Sequence, residues 1–122
     1  KPMKIYSVYD PEFKAYGQIV TGMEVAVQQI MTALAMGLDT LKFFPASIYG
    51  GLTAMKALAA PFTGIQFIPT GGVNGENLAE YLAAPCVRAV GGSWLCTKAD
   101  VNAGNFEKIT ALCRQAAQVR ER

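Results

Sequence analysis

The chain has 122 residues, 52% of them hydrophobic and 16% charged, with a net charge of +2 and no histidine. That length fits one domain with a substantial core, and so apolar a composition excludes a disordered chain. Without histidine, Ser-His-Asp and Cys-His nucleophile pairs, two-Cys two-His zinc sites and HExxH peptidase sites cannot be built; any general base is a carboxylate, lysine, tyrosine, thiolate or water.

In chain order, Met3–Tyr9 is rich in β-branched and aromatic residues and reads as a strand, followed by a turn or short helix at Asp10-Pro11. Residues 1–22 form a compositionally distinct N-terminal segment, holding Tyr6, Tyr9 and Tyr16, and 23–122 form the main unit. Met23–Met36 predicts a helix with Val27, Ile30, Met31 and Leu34 inward, stopped at Gly37. Thr40–Pro45 predicts a buried strand, Gly51–Ala60 a helix with Leu52, Met55 and Leu58 on one face, and Ile65–Thr70 a second buried strand. After the Gly71-Gly72 turn, Asn74 is placed to cap a helix over Gly75–Ala84. Val87–Val90 predicts a third strand running into Gly91-Gly92-Ser93, and Phe106–Arg120 a last helix with Ile109, Leu112, Cys113 and Ala116 inward. Alternating strands and helices of this size predict an α/β fold with a parallel sheet, its apolar strands covered on both faces.

The 11 basic and 9 acidic residues give no basic excess of the kind a nucleic-acid partner requires, and the positive charge gathers at the chain ends. Cys86, Cys96 and Cys113 are odd in number and widely spaced, which argues against a disulfide framework or a thiolate metal site and for a reducing cytoplasm. No basic-apolar signal segment opens the chain, and no uncharged apolar run of roughly 18 residues occurs, so no membrane partner is expected.

Three features stand at the carboxyl ends of the predicted strands, where parallel α/β sheets carry their sites. Lys42 lies inside the apolar run LKFFPA. A lysine there is either an amine nucleophile for Schiff-base chemistry on a ketone or an ordinary strand-edge lysine reaching solvent. Pro69-Thr70-Gly71-Gly72 and Gly91-Gly92-Ser93 are glycine turns after strands, either phosphate cradles built from backbone N–H groups or simply turns. Trp94, beside Ser93, reads as a packing residue.

Taken together, LKFFPA, PTGGVN and VGGSWL, with Pro61-Phe62 and the YLA at Tyr81, closely resemble the 2-keto-3-deoxy-6-phosphogluconate aldolase / 4-hydroxy-2-oxoglutarate aldolase family, from about Ala33 onward or about three quarters of the chain. The resemblance implies a class I aldolase on a (βα)8 barrel, an oligomer with no metal and no cofactor, cleaving a keto acid or phosphorylated sugar acid to pyruvate and an aldehyde. It assigns Lys42 as the Schiff-base lysine and Phe44 as a pocket-lining residue. Thr70, Gly71, Gly72, Gly92 and Ser93 match its phosphate-binding residues. The family's first strand supplies a glutamate base and an arginine that binds anionic substrate; no motif places either here, although Glu12 and Glu24 are carboxylates near the front. The fold expected is therefore a partial (βα)8 barrel of roughly four βα units. Its open edges would be closed by a homo-oligomer, dimer or trimer, or by a rearranged N-terminal segment. The alternative function is a non-catalytic truncated or chimeric half-barrel that keeps the fold and a phosphate site.

Overall fold

The computed structural model describes residues 23–120; the expected Met3–Tyr9 strand and the turn after it lie outside the described residues. Helix α1 spans Met23–Ala35, strand β1 Thr40–Phe43, helix α2 Gly51–Ala59, strand β2 Gln66–Pro69 and helix α3 Leu78–Ala83. A single 3₁₀ turn, Ser93–Leu95, precedes helices α4, Lys98–Asn102, and α5, Phe106–Arg120.

Helix α1 stops where the sequence places its terminator. Gly37 takes φ 78, and the Leu38 N–H reaches back to the Ala33 carbonyl at 2.9 Å, the six-to-one bond of a glycine-closed helix end. The inward face differs from the expected one. Ile30 and Ala33 are buried with Ala26 and Val27 packed beside them, whereas Met31 is 56% and Leu34 36% exposed. The seam runs through 26, 30 and 33, with the small Ala33 fully buried in it. Met31 and Leu34 each sit about 100° round from a seam residue.

Strands β1 and β2 pair in parallel, Thr40 with Gln66, Leu41 with Phe67, Lys42 with Ile68 and Phe43 with Pro69. The pleat sends Leu41, Phe43, Phe67 and Pro69 to one face. There Leu41, Phe67 and Pro69 are almost wholly buried, and the Phe43 and Phe67 rings meet edge to face at 5.7 Å. Leu52, Met55 and Leu58 of α2 cover that face, as the spacing predicts. On the opposite face Lys42 is exposed and Thr40, Gln66 and Ile68 are half-buried. Among the described residues nothing packs over them as the helices pack over the first face.

The third expected strand, Val87–Val90, is a parallel segment joined to β2 by two isolated bridges, Phe67 with Val87 and Thr70 with Gly91. Its neighbour among the described residues is β2, and the two bridges do not join into a continuous ladder. The architecture is α/β and parallel, with two strands in the sheet among the described residues.

Helix α3 starts at Leu78 rather than Gly75 and buries Leu78 and Tyr81. Burial pushes the Tyr81 hydroxyl above its usual range, with Glu80 adding to the shift. Helix α4 was not expected from sequence. Thr97 caps it by accepting from the Asp100 N–H at 3.1 Å, and the T-x-x-D spacing of Thr97 and Asp100 is the readable signal for it. Asp100 is 5% exposed and accepts from Lys108 Nζ at 2.9 Å, Thr97 Oγ1 at 2.8 Å and Asn105 Nδ2 at 3.1 Å, which ties α4 to α5. The Lys108 hydrogen bond, then those from Thr97 and Asn105, hold its carboxyl at a pKa of about 2. Helix α5 turns Ile109, Leu112 and Ala116 inward as expected, joined by Val119, but Cys113 is exposed. A cavity of about 870 Å³ lies between the Val87–Val90 segment, α3 and α5, with Arg88, Gln66 and Trp94 on its wall. No helix among the described residues is long and apolar enough to cross a membrane.

Candidate functional site

The two strands end side by side, and the loops that follow them are bonded backbone to backbone. The Phe43 carbonyl accepts from the Thr70 N–H at 2.9 Å, the Thr70 carbonyl from the Ala46 N–H at 2.8 Å, and the Gly71 carbonyl from the Ser47 N–H at 3.1 Å. The expected site residues of both strands thus converge at one end of the sheet.

Lys42 stands on the uncovered face of the sheet, with its side chain exposed. What holds the side chain is Phe44, whose ring centroid lies 5.4 Å from Lys42 Nζ, within cation–π range. Phe44 is itself 39% exposed. The lysine and the residue expected to line its pocket are therefore in contact, on a surface open to a ligand.

Gly71 and Gly72 take φ 85 and φ 83, a left-handed conformation that side chains disfavour. Space forbids a side chain as well. A Cβ on Gly71 would press within 3.1 Å of Pro45 and 3.2 Å of the Phe44 ring, and one on Gly72 would overlap the Ser47 side chain. These glycines let the β2 loop lie against the β1 loop. The Gly71 and Gly72 carbonyls are both held by protein donors, Ser47 N–H and Asn77 Nδ2, the latter at 2.9 Å. A trans peptide points its N–H opposite to its carbonyl. The Gly72 and Val73 N–H groups accordingly turn away from those donors, and neither has a hydrogen-bond partner among the described residues.

The second glycine turn joins the first through the Thr70–Gly91 bridge, with the Gly91 N–H donating to the Pro69 carbonyl at 3.0 Å. A Cβ on Gly91 would come within 2.6 Å of Thr70 Cγ2, and one on Gly92 would overlap the Trp94 ring, so close packing again demands glycine. Ser93 is exposed and opens the 3₁₀ turn. Thr70 Oγ1 is buried and has no hydrogen-bond partner. The expected helix N-terminus at the glycine pair is displaced. Asn74 Oδ1 accepts from the Glu76 and Asn77 N–H groups at 2.9 and 3.1 Å, closing a loop turn before α3 begins. Sequence reasoning missed Asn77 and Ser47, the residues against which the glycine turn is set. Among the described residues there is no group of three or more His, Cys, Asp or Glu side chains able to hold a metal.

A parallel sheet whose strand ends carry a lysine against a phenylalanine ring, with two interlocked glycine turns beside it, defines an α/β protein with its candidate site at the carboxyl ends of its strands. The profile of the KDPG and KHG aldolase family matches residues 13–112, and the chain belongs to that family. It is 46% identical over 101 residues to the 2-dehydro-3-deoxy-phosphogluconate aldolase of Treponema pallidum (strain Nichols), a match covering 83% of this chain and 48% of that protein. It superposes on the KDPG aldolase of Legionella pneumophila, solved with pyruvate captured at low pH as a covalent carbinolamine intermediate. That match has a TM-score of 0.68 and 42% identity, over 71% of this chain and 42% of the other. It also superposes on the 2-keto-3-deoxy-6-phosphogluconate aldolase of Zymomonas mobilis ZM4 solved with 3-phosphoglycerate, with a TM-score of 0.63 and 43% identity, over 73% and 41% of the two chains. The chain spans about half the length of the relatives it matches.

Proposed function

We propose that this chain carries the lysine and phosphate elements of a class I aldolase that cleaves a phosphorylated 2-keto-3-deoxy sugar acid, or 4-hydroxy-2-oxoglutarate, to pyruvate and an aldehyde. The observation that carries the reading is the convergence of Lys42, Phe44 and both glycine turns at one end of β1 and β2. In this reading the neutral Lys42 amine adds to the C2 ketone to give a carbinolamine, which loses water to form an imine. The protonated imine accepts the electron pair of the breaking C3–C4 bond, the C4 hydroxyl gives its proton to a base, and the aldehyde departs. The enamine left behind is protonated at C3, and water releases pyruvate and the free amine. Phe44 lines the pocket, and Thr70, Gly71, Gly72, Gly92 and Ser93 hold the substrate phosphate through backbone N–H groups and hydroxyls. The carbinolamine in the Legionella relative supports the covalent step.

Borohydride trapping with pyruvate, read by intact mass, tests this. A reduced pyruvyl adduct is expected on the wild-type chain and is expected to vanish in Lys42→Ala. No adduct at saturating pyruvate defeats the catalytic reading. The exposure of Lys42 on an uncovered sheet face favours a second reading, a non-catalytic scaffold that keeps the phosphate turns. An open face of this kind is also where a further copy of the chain would close the site, so trapping is best run alongside light scattering.

A further inference from the structure

The peptide that joins Gly72 to Val73 is held from one side by a single side chain. Asn77 Nδ2 donates to the Gly72 carbonyl at 2.9 Å, while Asn77 Oδ1 accepts from the Asn74 N–H at 2.8 Å. One carboxamide therefore spans both ends of the segment between Gly72 and Asn74. Asn77 is free to do this because α3 begins after it: its backbone carbonyl accepts from the Tyr81 N–H at 3.1 Å, but its side chain makes no capping bond to its own helix. The neighbouring carbonyl, Gly71, is held instead by the Ser47 backbone N–H, which any residue but proline supplies at that position.

We infer that Asn77 is a positioning residue for phosphate, fixing the Gly72–Val73 peptide so that the Val73 N–H faces the bound anion. The inference rests on the phosphate reading above. A left-handed glycine has little of its own to resist rotation of the following peptide: Gly72 occupies φ 83 but, lacking a Cβ, reaches other conformations at low cost. The Asn77 bond removes that freedom. With the carbonyl pulled toward α3, the N–H of the same planar unit has one direction left. Without the carboxamide, the carbonyl is free to swing toward the anion, replacing a donor with a repelling oxygen. Asn77 itself need not touch the ligand.

The probe is inorganic phosphate, titrated into the full chain and followed by the Gly72 and Val73 amide shifts and by the fluorescence of Trp94, the one tryptophan in the sequence. Trp94 lies over Gly92, with its indole nitrogen 3.8 Å from the Cβ position at Gly75, so it borders the second turn and the loop that follows the first. Wild type is expected to saturate. Asn77→Leu, near in size but with no donor, is expected to bind about tenfold more weakly at temperatures well below its unfolding midpoint, and Asn77→Gln to regain most of the loss by restoring the donor. A purely structural role would lower the midpoint without this split between Leu and Gln. If wild type binds and Asn77→Leu binds within about twofold of it, the inference falls and the phosphate reading stands. If wild type shows no response at Gly72 and Val73, both fall together. Should Asn77→Leu fail to fold, the wild-type titration decides alone: the Asn77 side-chain amide protons and the Gly72 carbonyl must shift in step with the Val73 amide, and their failure to do so overturns the inference.

Discussion

Replacing Gly72 with alanine separates two reasons for a glycine, conformation and space. The added Cβ must adopt φ near 83, which costs about 1–2 kcal/mol. It also overlaps both Cβ and Oγ of Ser47. Rotating the serine moves Oγ but leaves Cβ in place, so the β1 loop itself must retreat. That retreat loosens the Ser47 N–H to Gly71 carbonyl bond, worth about 1 kcal/mol. The total of about 2–3 kcal/mol lowers the midpoint of a domain this size by roughly 10–20 °C. Gly37 is the control: its φ is 78 but nothing lies within 4 Å of a Cβ there, so Gly37→Ala carries the conformational cost alone. Urea unfolding followed by Trp94 fluorescence gives both values. The double variant Gly72→Ala, Ser47→Gly is expected to recover about 1 kcal/mol through the coupling between the sites. Equal losses for Gly72→Ala and Gly37→Ala, or no coupling to Ser47, would refute the claim that the two loops are in glycine-dependent contact.

On α1, Met31→Ser is expected to change stability by less than about 0.5 kcal/mol, whereas Ala33→Leu overpacks the seam and is expected to cost about 1–3 kcal/mol; chemical denaturation measures both. Thr70→Val removes a buried hydroxyl that has no partner, so stability is expected to hold or rise; a loss of stability in thermal melts would contradict it. The Asp100 carboxyl titrates at about 2 in the fold and at about 4 in an unfolded chain, so the unfolded state takes up its proton first as pH drops. The stability it contributes is therefore present above about pH 4 and is lost as pH falls toward about 2. Asp100→Asn is expected to be less stable at neutral pH and to show a shallower acid limb, and matching acid limbs in the two proteins would show that the carboxylate carries no such linkage.

How far the sequence reveals this molecule depends on whether a signal is local. The Gly37 stop, the Leu52–Met55–Leu58 face of α2 and the two parallel strands were legible because one segment's pattern decides each of them. The α1 face is less legible, because apolar residues at helical spacing fit more than one stripe, and the packing of the fold selects the one through Ala33 and leaves Met31 and Leu34 exposed. Helix α4 carried its signal in Thr97 and Asp100, but five residues between two glycine-bearing loops give no periodicity to notice. The Val87–Val90 segment has the composition of a strand, and pairing partners, which no single segment encodes, decide whether it becomes one.

The site divides along the same line. Lys42, Phe44 and the glycine turns were named from motif and resemblance, and their mutual contact is a property of the two-stranded register: pairing Phe43 with Pro69 brings the next residues of each strand together. What the motif could not express is that its glycines are required from outside the turn. Pro45 and Ser47 crowd Gly71 and Gly72, and Thr70 crowds Gly91. Two of the three donors that set the peptides of the first turn, at Ala46 and Ser47, are distant in sequence and are main-chain groups that leave no mark on residue identity. Asn77 is the exception, since its role needs a carboxamide. It was overlooked because Asn74, three residues earlier, offered the more familiar cap, and Asn74 does make those bonds, to Glu76 and Asn77. Two asparagines thus share one loop, the first closing the turn and the second fixing the peptide that faces outward. A PTGGVN motif is better understood with the asparagine that follows it included, because glycines supply only the room to bend, and the direction comes from whatever holds their carbonyls.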